Sequence, residues 1–508
     1  MDQYGNTINK LGSGTYGTVY ETDKGYAIKK MNNDLPYIPN STALREIVAL
    51  NKIKQFTHQH TLYPVDILLN RNTTDLVLKL ADTSLESLLG NNNLDWRDLF
   101  FQICLGVAEM HNADMIHLDL KPLNILIKDN QIWIGDFGAT LTYTCALGGY
   151  PYENVTTSLF RSPELFYGGQ LTIAADIWAL GTMLYEIYLR LTKKANYPFG
   201  RNNFSDSQIV EDIYKYIGVP TEDHWSGVTS LPYWSLYSNL AKRIINGKRQ
   251  NYVEELTSLN IDTNIIDLIG KMLTLNPYKR PTIYEVLQHP YFNGRLIGLP
   301  IINCRDSMIL TSKYPINKWP NQNLRENFIS HLVDFYTAYN LKKTTLDISI
   351  YLADNFIYKK DAPINYDLLL LCVIFIAVSI QETRYISIEK LLKLSNNLYT
   401  ETQIIDMIKD LLLTLDFQLE IATLSLFIQY RIKTTDYGDN TQILWDIWEI
   451  IIYSDLIFII DIPLLADMIY YMSKWIQFEI KSPIDLTPIK SVLLTNSDDN
   501  LLELIESA

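Results

Sequence analysis

Asp119, Asn124 and Asp136 follow one another closely in the chain, with Lys121 between the first two and Phe137-Gly138 directly after the last. Asn and Asp oxygens are hard ligands of the kind Mg²⁺ takes. A second carboxylate can accept a proton from a hydroxyl, and a lysine beside it can neutralise a transferring anion. Phosphoryl transfer needs this set of types. Far upstream, in Leu11-Gly12-Ser13-Gly14-Thr15-Tyr16-Gly17-Thr18-Val19-Tyr20, glycines at 12, 14 and 17 would let a backbone lie close over phosphates. Such a run also suits a Rossmann turn, but that turn needs a helix directly after the glycines. Here Thr18, Val19 and Tyr20 favour a strand, and Tyr26-Ala27-Ile28-Lys29 favours a second one. Taken singly, Lys29 reads as a surface lysine and Asp136-Phe137-Gly138 as a chance tripeptide in a solvated loop.

Other elements must bring these groups together. In Pro39-Asn40-Ser41-Thr42-Ala43-Leu44-Arg45-Glu46-Ile47-Val48-Ala49-Leu50, Ser41 or Thr42 can cap a helix, and nothing from Ala43 to Ile53 would break it. At roughly 100° per residue, Leu44, Ile47 and Val48 share one face, while Glu46 points almost the opposite way from Leu44. Alone, this is an ordinary core helix with a solvated glutamate. Leu76-Val77-Leu78-Lys79-Leu80 reads as a strand leading into Ala81-Asp82, and a helix is expected from about Asp95 to Asn112.

Read jointly and in order, these motifs resemble the cyclin-dependent branch of the Ser/Thr protein kinases. Asn-Ser-Thr-Ala-Leu-Arg-Glu at 40–46 is similar to that family's signature helix, and Ile116 to Asn124 resembles its catalytic loop. The resemblance implies a protein serine/threonine kinase using ATP and Mg²⁺. Asp119 would orient the substrate hydroxyl and take its proton, Lys121 would neutralise the phosphoryl group, and Thr157 joins this catalytic set. Asn124 and Asp136 would hold the metal, while Glu46 would fix Lys29 against the phosphates. The nucleotide would lie among Leu11, Gly12, Gly14, Gly17, Val19, Ala27, Lys29, Leu78, Lys79, Ala81, Asn124 and Asp136, with Leu78 as gatekeeper. Ser162-Pro163-Glu164, Asp176-Ile177-Trp178-Ala179-Leu180-Gly181 and Arg280 fill structural positions, Arg280 pairing with Glu164. Phe204 to Ile209 and Trp225 to Pro232 resemble the insert of the cyclin-dependent kinases. The likeness runs to His289-Pro290-Tyr291-Phe292.

Bulk properties agree with a folded multidomain chain. Its 508 residues are 47% hydrophobic and 20% charged. The net charge of −14 argues against nonspecific binding to nucleic acid or anionic membranes. Most of it falls in residues 300–508, where 17 Lys and Arg face 27 Asp and Glu. No basic segment precedes an apolar run at the N-terminus, and the run Leu368 to Ile380 is too short to span a bilayer. Cys104, Cys145, Cys304 and Cys372 form no CxxC pair, which points to a reduced, intracellular setting, cytoplasmic or nuclear.

From Asn323 onward the pattern is helical throughout. Leu324 to Phe335, Thr344 to Phe356 and Leu368 to Ala377 resemble the first three helices of a cyclin box, and Tyr399 to Leu412 with Leu415-Asp416-Phe417 the fourth and fifth. Pro463-Leu464-Leu465-Ala466 resembles a second repeat. A generic helical bundle is the alternative. The resemblance implies a bilobal α+β kinase fold followed by an all-α cyclin-like domain. The lobes would be 1–81 and 82–295, the connector 296–322, the cyclin-box-like domain 323–425 and the divergent repeat 426–508. An extended connector would reach roughly 90 Å, against a kinase diameter of roughly 50 Å. The fused domain could therefore meet helix 41–53 of its own molecule and act as an activator in cis. An external cyclin is a second partner, and a pseudokinase scaffold that titrates or recruits other kinases is the alternative function.

Several positions depart from the resembled family. Leu118 and Leu141 stand where arginines receive an activating phosphate, and Tyr152 stands where the phosphorylated Thr would be, leaving Arg45 of the three receptors. Ser379 and Ile408 replace the cyclin Lys and Glu that touch the kinase, and Asn327 and His331 interrupt the apolar recruitment groove. Val155 and Arg161 fit a pocket for Pro after the target residue. Thr15 and Tyr16 are candidate inhibitory phosphorylation sites.

Overall fold

The computed structural model describes residues 3–14, 17–54, 59–113, 115–142, 157–202, 204–245, 251–292, 314–315, 317–382, 386–419, 422–434, 437, 441–478, 482 and 484–496. The expectations for Thr15, Tyr16, Tyr152 and Val155, and most of those for the connector, lie outside them.

Strands β1 (Thr7–Gly14), β2 (Gly17–Thr22), β3 (Tyr26–Leu35), β5 (Asp66–Leu69) and β6 (Thr73–Lys79) form a sheet in the order β1-β2-β3-β6-β5, with β4 (Ile38–Pro39) paired to β3. The glycine run therefore enters a strand pair and not a helix, as Thr18, Val19 and Tyr20 predict. At the turn, Gly17 has φ +152°, and a Cβ there would meet the Lys30 carbonyl oxygen at 2.5 Å, so only glycine fits. Pairing of Val19 with Lys29 sets that lysine opposite the glycine strands.

Helix α1 (Ser41–Lys54) follows β4. Its cap is neither Ser41 nor Thr42: Asn40 accepts from the Ala43 N–H through Oδ1 at 2.8 Å, and its own side-chain amide donates to the Asn32 carbonyl, also at 2.8 Å. Asn40 wins because it can satisfy an orphan helix donor and the β3 backbone at once.

By compactness the chain divides into two units. The first holds Met1–Met31, Arg45–Leu68 and Asp75–Ile301; the second holds Asn32–Leu44, Leu69–Thr74 and Ile302–Ala508. In the first unit, helix α2 (Trp96–Asn112) is capped by Asp95, which accepts from the Asp98 N–H, and it packs on a hairpin of β8 (Ile125–Lys128) and β9 (Gln131–Ile134). Strand β7 (Met115–Ile116) precedes that hairpin and pairs with β10 (Leu141–Thr142). Helix α3 (Ala174–Leu191) is buried on nearly every side, and its Trp178 and Tyr185 are inaccessible to solvent. Arg280 makes two bonds to Glu164, at 2.7 and 2.6 Å, the pairing expected from sequence.

The second unit is helical from residue 322. Among the described residues, its helices longer than one turn are α4 (Gln322–Tyr339), α5 (Lys343–Lys359), α6 (Tyr366–Gln381), α7 (Ile388–Leu394), α8 (Glu401–Thr414), α9 (Leu424–Thr434), α10 (Gln442–Tyr453), α11 (Ile462–Phe478) and α12 (Thr487–Asn496). The apolar run 368–380 lies in α6, which is almost entirely buried between α5 and α8. Arg325 is fully buried and pairs with Asp354 through two bonds, at 3.2 and 3.0 Å. The same guanidinium donates to the carbonyls of Ile452 and Tyr453, tying α4 to α5 and to the end of α10.

Two expectations are corrected here. Residues 415–417 are not a helix: Asp416 and Phe417 take left-handed backbone, φ 49° and 53°, and close α8. The fourth helix is α7, which sequence reasoning missed, capped by Ser387 at the Lys390 N–H. Among the described residues no helix is long and apolar enough to cross a membrane. Cys104 and Cys372 are buried free thiols.

Candidate active site

Lys29 Nζ lies 2.6 Å from Glu46 Oε1 and 2.8 Å from Asp136 Oδ1, joining β3, α1 and the segment after β9 at one ammonium. Both Lys29 and Glu46 are buried. Burial works against the charge on Lys29, but its two carboxylate neighbours outweigh that and raise its pKa. Burial raises Glu46 against the pull of Lys29, and Glu46 Oε2 has no hydrogen-bond partner among the described residues. Asp136 goes the other way: despite burial, Lys29 holds it below the usual carboxylate range. Asp136 sits in left-handed backbone, φ 61°, a conformation that costs energy for a non-glycine residue and is retained where the surroundings over-determine it.

Asp119 has its own set of partners. Lys121 Nζ reaches Asp119 Oδ2 at 2.6 Å and Thr157 Oγ1 at 2.9 Å. Thr157 donates to Asp119 Oδ1 through its hydroxyl, at 2.6 Å, and through its backbone N–H, at 3.1 Å. The Asn124 amide donates to the Asp119 carbonyl at 2.8 Å and to Oδ2 at 3.1 Å. Asp119, Lys121, Asn124 and Thr157 thus form one hydrogen-bonded cluster. Asp176 steadies the loop from beneath, accepting from the N–H groups of His117 and Leu118 at 2.9 and 3.0 Å, with His111 Nε2 at 3.0 Å.

A cleft of about 490 Å³ opens beside these groups. All the expected nucleotide-site residues line it: Leu11, Gly12, Gly14, Gly17, Val19, Ala27, Lys29, Leu78, Lys79, Ala81, Asn124 and Asp136. Among its other lining residues, sequence reasoning missed the apolar Leu62, Leu126 and Phe137 and the polar Ser84 and Ser87. The apolar, strand-forming run Ile125-Leu126-Ile127 after Asn124 could have flagged Leu126; nothing local marks the serines. The donor set suits a magnesium nucleotide. An apolar wall, an ammonium and the oxygens of Asn124 and Asp136 face one space, and Mg²⁺ characteristically takes one or two protein oxygens plus phosphates. When bound, Mg²⁺ would neutralise charge on the phosphates.

Comparison with known proteins agrees with this geometry. The protein kinase domain model matches residues 6–292, and the model for the N-terminal domain of cyclins matches 303–420. The chain belongs to the protein kinase family. It is 32% identical over 311 residues to a cell division control protein 2 homolog of Trypanosoma brucei brucei, covering 58% of this chain and 83% of that protein. It is 30% identical over 316 residues to cyclin-dependent kinase B2-1 of Oryza sativa subsp. japonica, covering 58% of this chain and 90% of the relative. The fold is that of a bilobal, cyclin-dependent-like kinase followed by a cyclin-like helical domain.

Proposed function

We propose that this chain transfers the γ-phosphoryl group of Mg-ATP to Ser or Thr in protein substrates, and that its cyclin-like region is the activator, working in cis. The observation that carries the reading is the Lys29–Glu46 pair, closed at 2.6 Å with Asp136 on the same ammonium. In such a site Lys29 holds the phosphates, Asn124 and Asp136 hold the metal, Asp119 takes the hydroxyl proton, and Lys121 neutralises the transferring group. The Thr157 hydroxyl donates to Asp119 Oδ1 at 2.6 Å and would hold it in place. Support for activation in cis comes from the second unit, which includes residues 32–44 together with 302–508, so the first residues of α1 are packed as part of the helical region. A substrate Pro after the target residue, and an external cyclin, are further elements of the proposal.

The pseudokinase scaffold is the competing reading, and the intact set of Lys29, Glu46, Asp119, Asn124 and Asp136 disfavours it. The deciding experiment incubates the purified full chain with Mg-ATP and Ser/Thr peptides. Transfer by the wild type, lost in Asp119→Asn, supports the kinase; no transfer by the wild type overturns it.

A further inference from the structure

Within the second unit, the Nζ of Lys409 on α8 lies 3.9 Å from the centroid of the Tyr37 ring, and β4 packs on α8 at the same place. A cation this close to an aromatic face is held by the ring quadrupole. The next residue on α8, Asp410, holds Lys360 at 2.6 and 2.7 Å, so α8 is anchored to α5 beside Lys409.

Tyr37 itself is held in place. It takes left-handed backbone, φ 62°, an outlier for a bulky aromatic residue, and its N–H donates to the Arg71 carbonyl at 2.8 Å. Asn33 ties the same hairpin to the 70–74 turn: its N–H bonds the Asn72 carbonyl, its amide bonds the Asn70 carbonyl, and its Oδ1 accepts from Thr74 Oγ1. From Tyr37 the chain runs through Ile38 and Pro39, both buried, to Asn40, the cap of α1. Six residues past that cap stands Glu46. A strained turn residue thus sits at the head of a short, fully bonded path to the glutamate that holds Lys29.

We propose that Lys409 and Tyr37 are positioning residues for the kinase site, a cation–π pair that fixes the entry into α1 and through it Glu46. The pair deepens the reading of activation in cis and rests on it. Lys409 adjoins position 408, which with 379 is where the resembled cyclins carry their charged contacts: Ser379 here bonds the Phe375 carbonyl of its own helix, and Ile408 is buried. A single lysine on the adjoining position of α8 supplies the cation instead.

The test uses the full chain. Lys409→Met keeps the side-chain stem and removes the charge; Lys409→Arg keeps a cation; Tyr37→Phe keeps the ring; Tyr37→Leu removes it. In Lys409→Met, kcat should fall roughly fivefold with the peptide KM unchanged, and amide exchange across Ala43–Val48 should speed up by a similar factor. Lys409→Arg and Tyr37→Phe should behave as wild type. Lys409→Met/Tyr37→Leu should be no worse than the worse single variant. Exchange in Lys409→Met equal to wild type, or fully multiplicative effects in the double variant, would overturn the pair. A wild-type chain that transfers no phosphate would overturn the kinase reading instead, and the exchange measurement would still decide the pair.

Discussion

Leu118 and Leu141 are buried in one apolar cluster with Ile116, Ala139, Leu165, Leu171 and Ala175. Leu141 also pairs through its backbone with Ile116, and Leu118, in left-handed backbone at φ 68°, has its N–H held by Asp176. At the two positions where the resembled family keeps guanidiniums for a phosphate, this chain packs carbon against carbon. Each buried leucine contributes about 1.5–3 kcal/mol of transfer free energy, with no modification required. Phosphatase treatment, and Tyr152→Phe, should therefore leave activity within about threefold of wild type. Leu141→Arg should lower both kcat and the melting temperature, because it buries an unpaired charge. Loss of an order of magnitude on dephosphorylation would show that a phosphate is required for activity.

Asp119→Asn should retain nucleotide binding and lose phosphoryl transfer, whereas Lys29→Met should weaken both. The difference follows from geometry: Asp119 faces Thr157 and Lys121, and Lys29 faces Glu46 and Asp136. Nucleotide titration alongside a transfer assay separates the two. Wild-type turnover in Asp119→Asn would remove the base from the mechanism.

Leu44 is 1% exposed and belongs to the second unit, while Glu46, two residues on, belongs to the first. Leu44→Asp should cut kcat at least tenfold with every catalytic side chain intact, because a charge cannot remain buried there. A chain ending at Arg295 should behave alike, and residues 300–508 added separately should restore part of the activity, tethering having supplied millimolar effective concentration. Full activity in the shortened chain would assign the helical region to recruitment.

Asp347 is buried, accepts from the Ser425 N–H at 2.7 Å and leaves Oδ1 without a partner among the described residues. Burial pushes its pKa up to about 6 against the hydrogen bonds that lower it. Between the unfolded value near 4 and about 6, the folded state binds the extra proton, so this group's contribution to stability falls as pH rises through that window. Asp347→Asn should therefore melt above wild type at pH 7.5, with the gap closing below pH 5. Thermal melts at the two pH values measure it; an equal gap at both would exclude this carboxyl as the source.

The candidate site was legible in outline because phosphoryl transfer would fix residue type and order, and the residues expected to meet the nucleotide do line one cleft. Capping was harder, since Asn40, Ser41 and Thr42 are all competent caps, and only the Asn32 carbonyl, across a hairpin, favours the first. Helix α7 was missed because seven residues give too little periodicity to read. The Lys409–Tyr37 contact joins positions far apart in sequence through a left-handed tyrosine, a conformation that no local signal announces. The loss of arginine at 118 and 141 was visible, but the cluster that replaces them needs Leu165 and Leu171, whose nearness is tertiary.

Glu46 brings a carboxylate into the interior and satisfies one oxygen of two. An unmet buried acceptor costs about 1–3 kcal/mol, which alone would deplete the inward helix about 5- to 150-fold relative to a solvated alternative. The ion pair that Glu46 makes with Lys29 at 2.6 Å works against that cost, so the closed pair is what keeps the carboxylate inside. A nucleotide that prefers the closed Lys29–Glu46 pair and a helical region that grips Tyr37 would then raise one another's affinity by the same factor. If the chain is activated in cis as proposed, thermodynamic reciprocity makes nucleotide affinity a gauge of that activation.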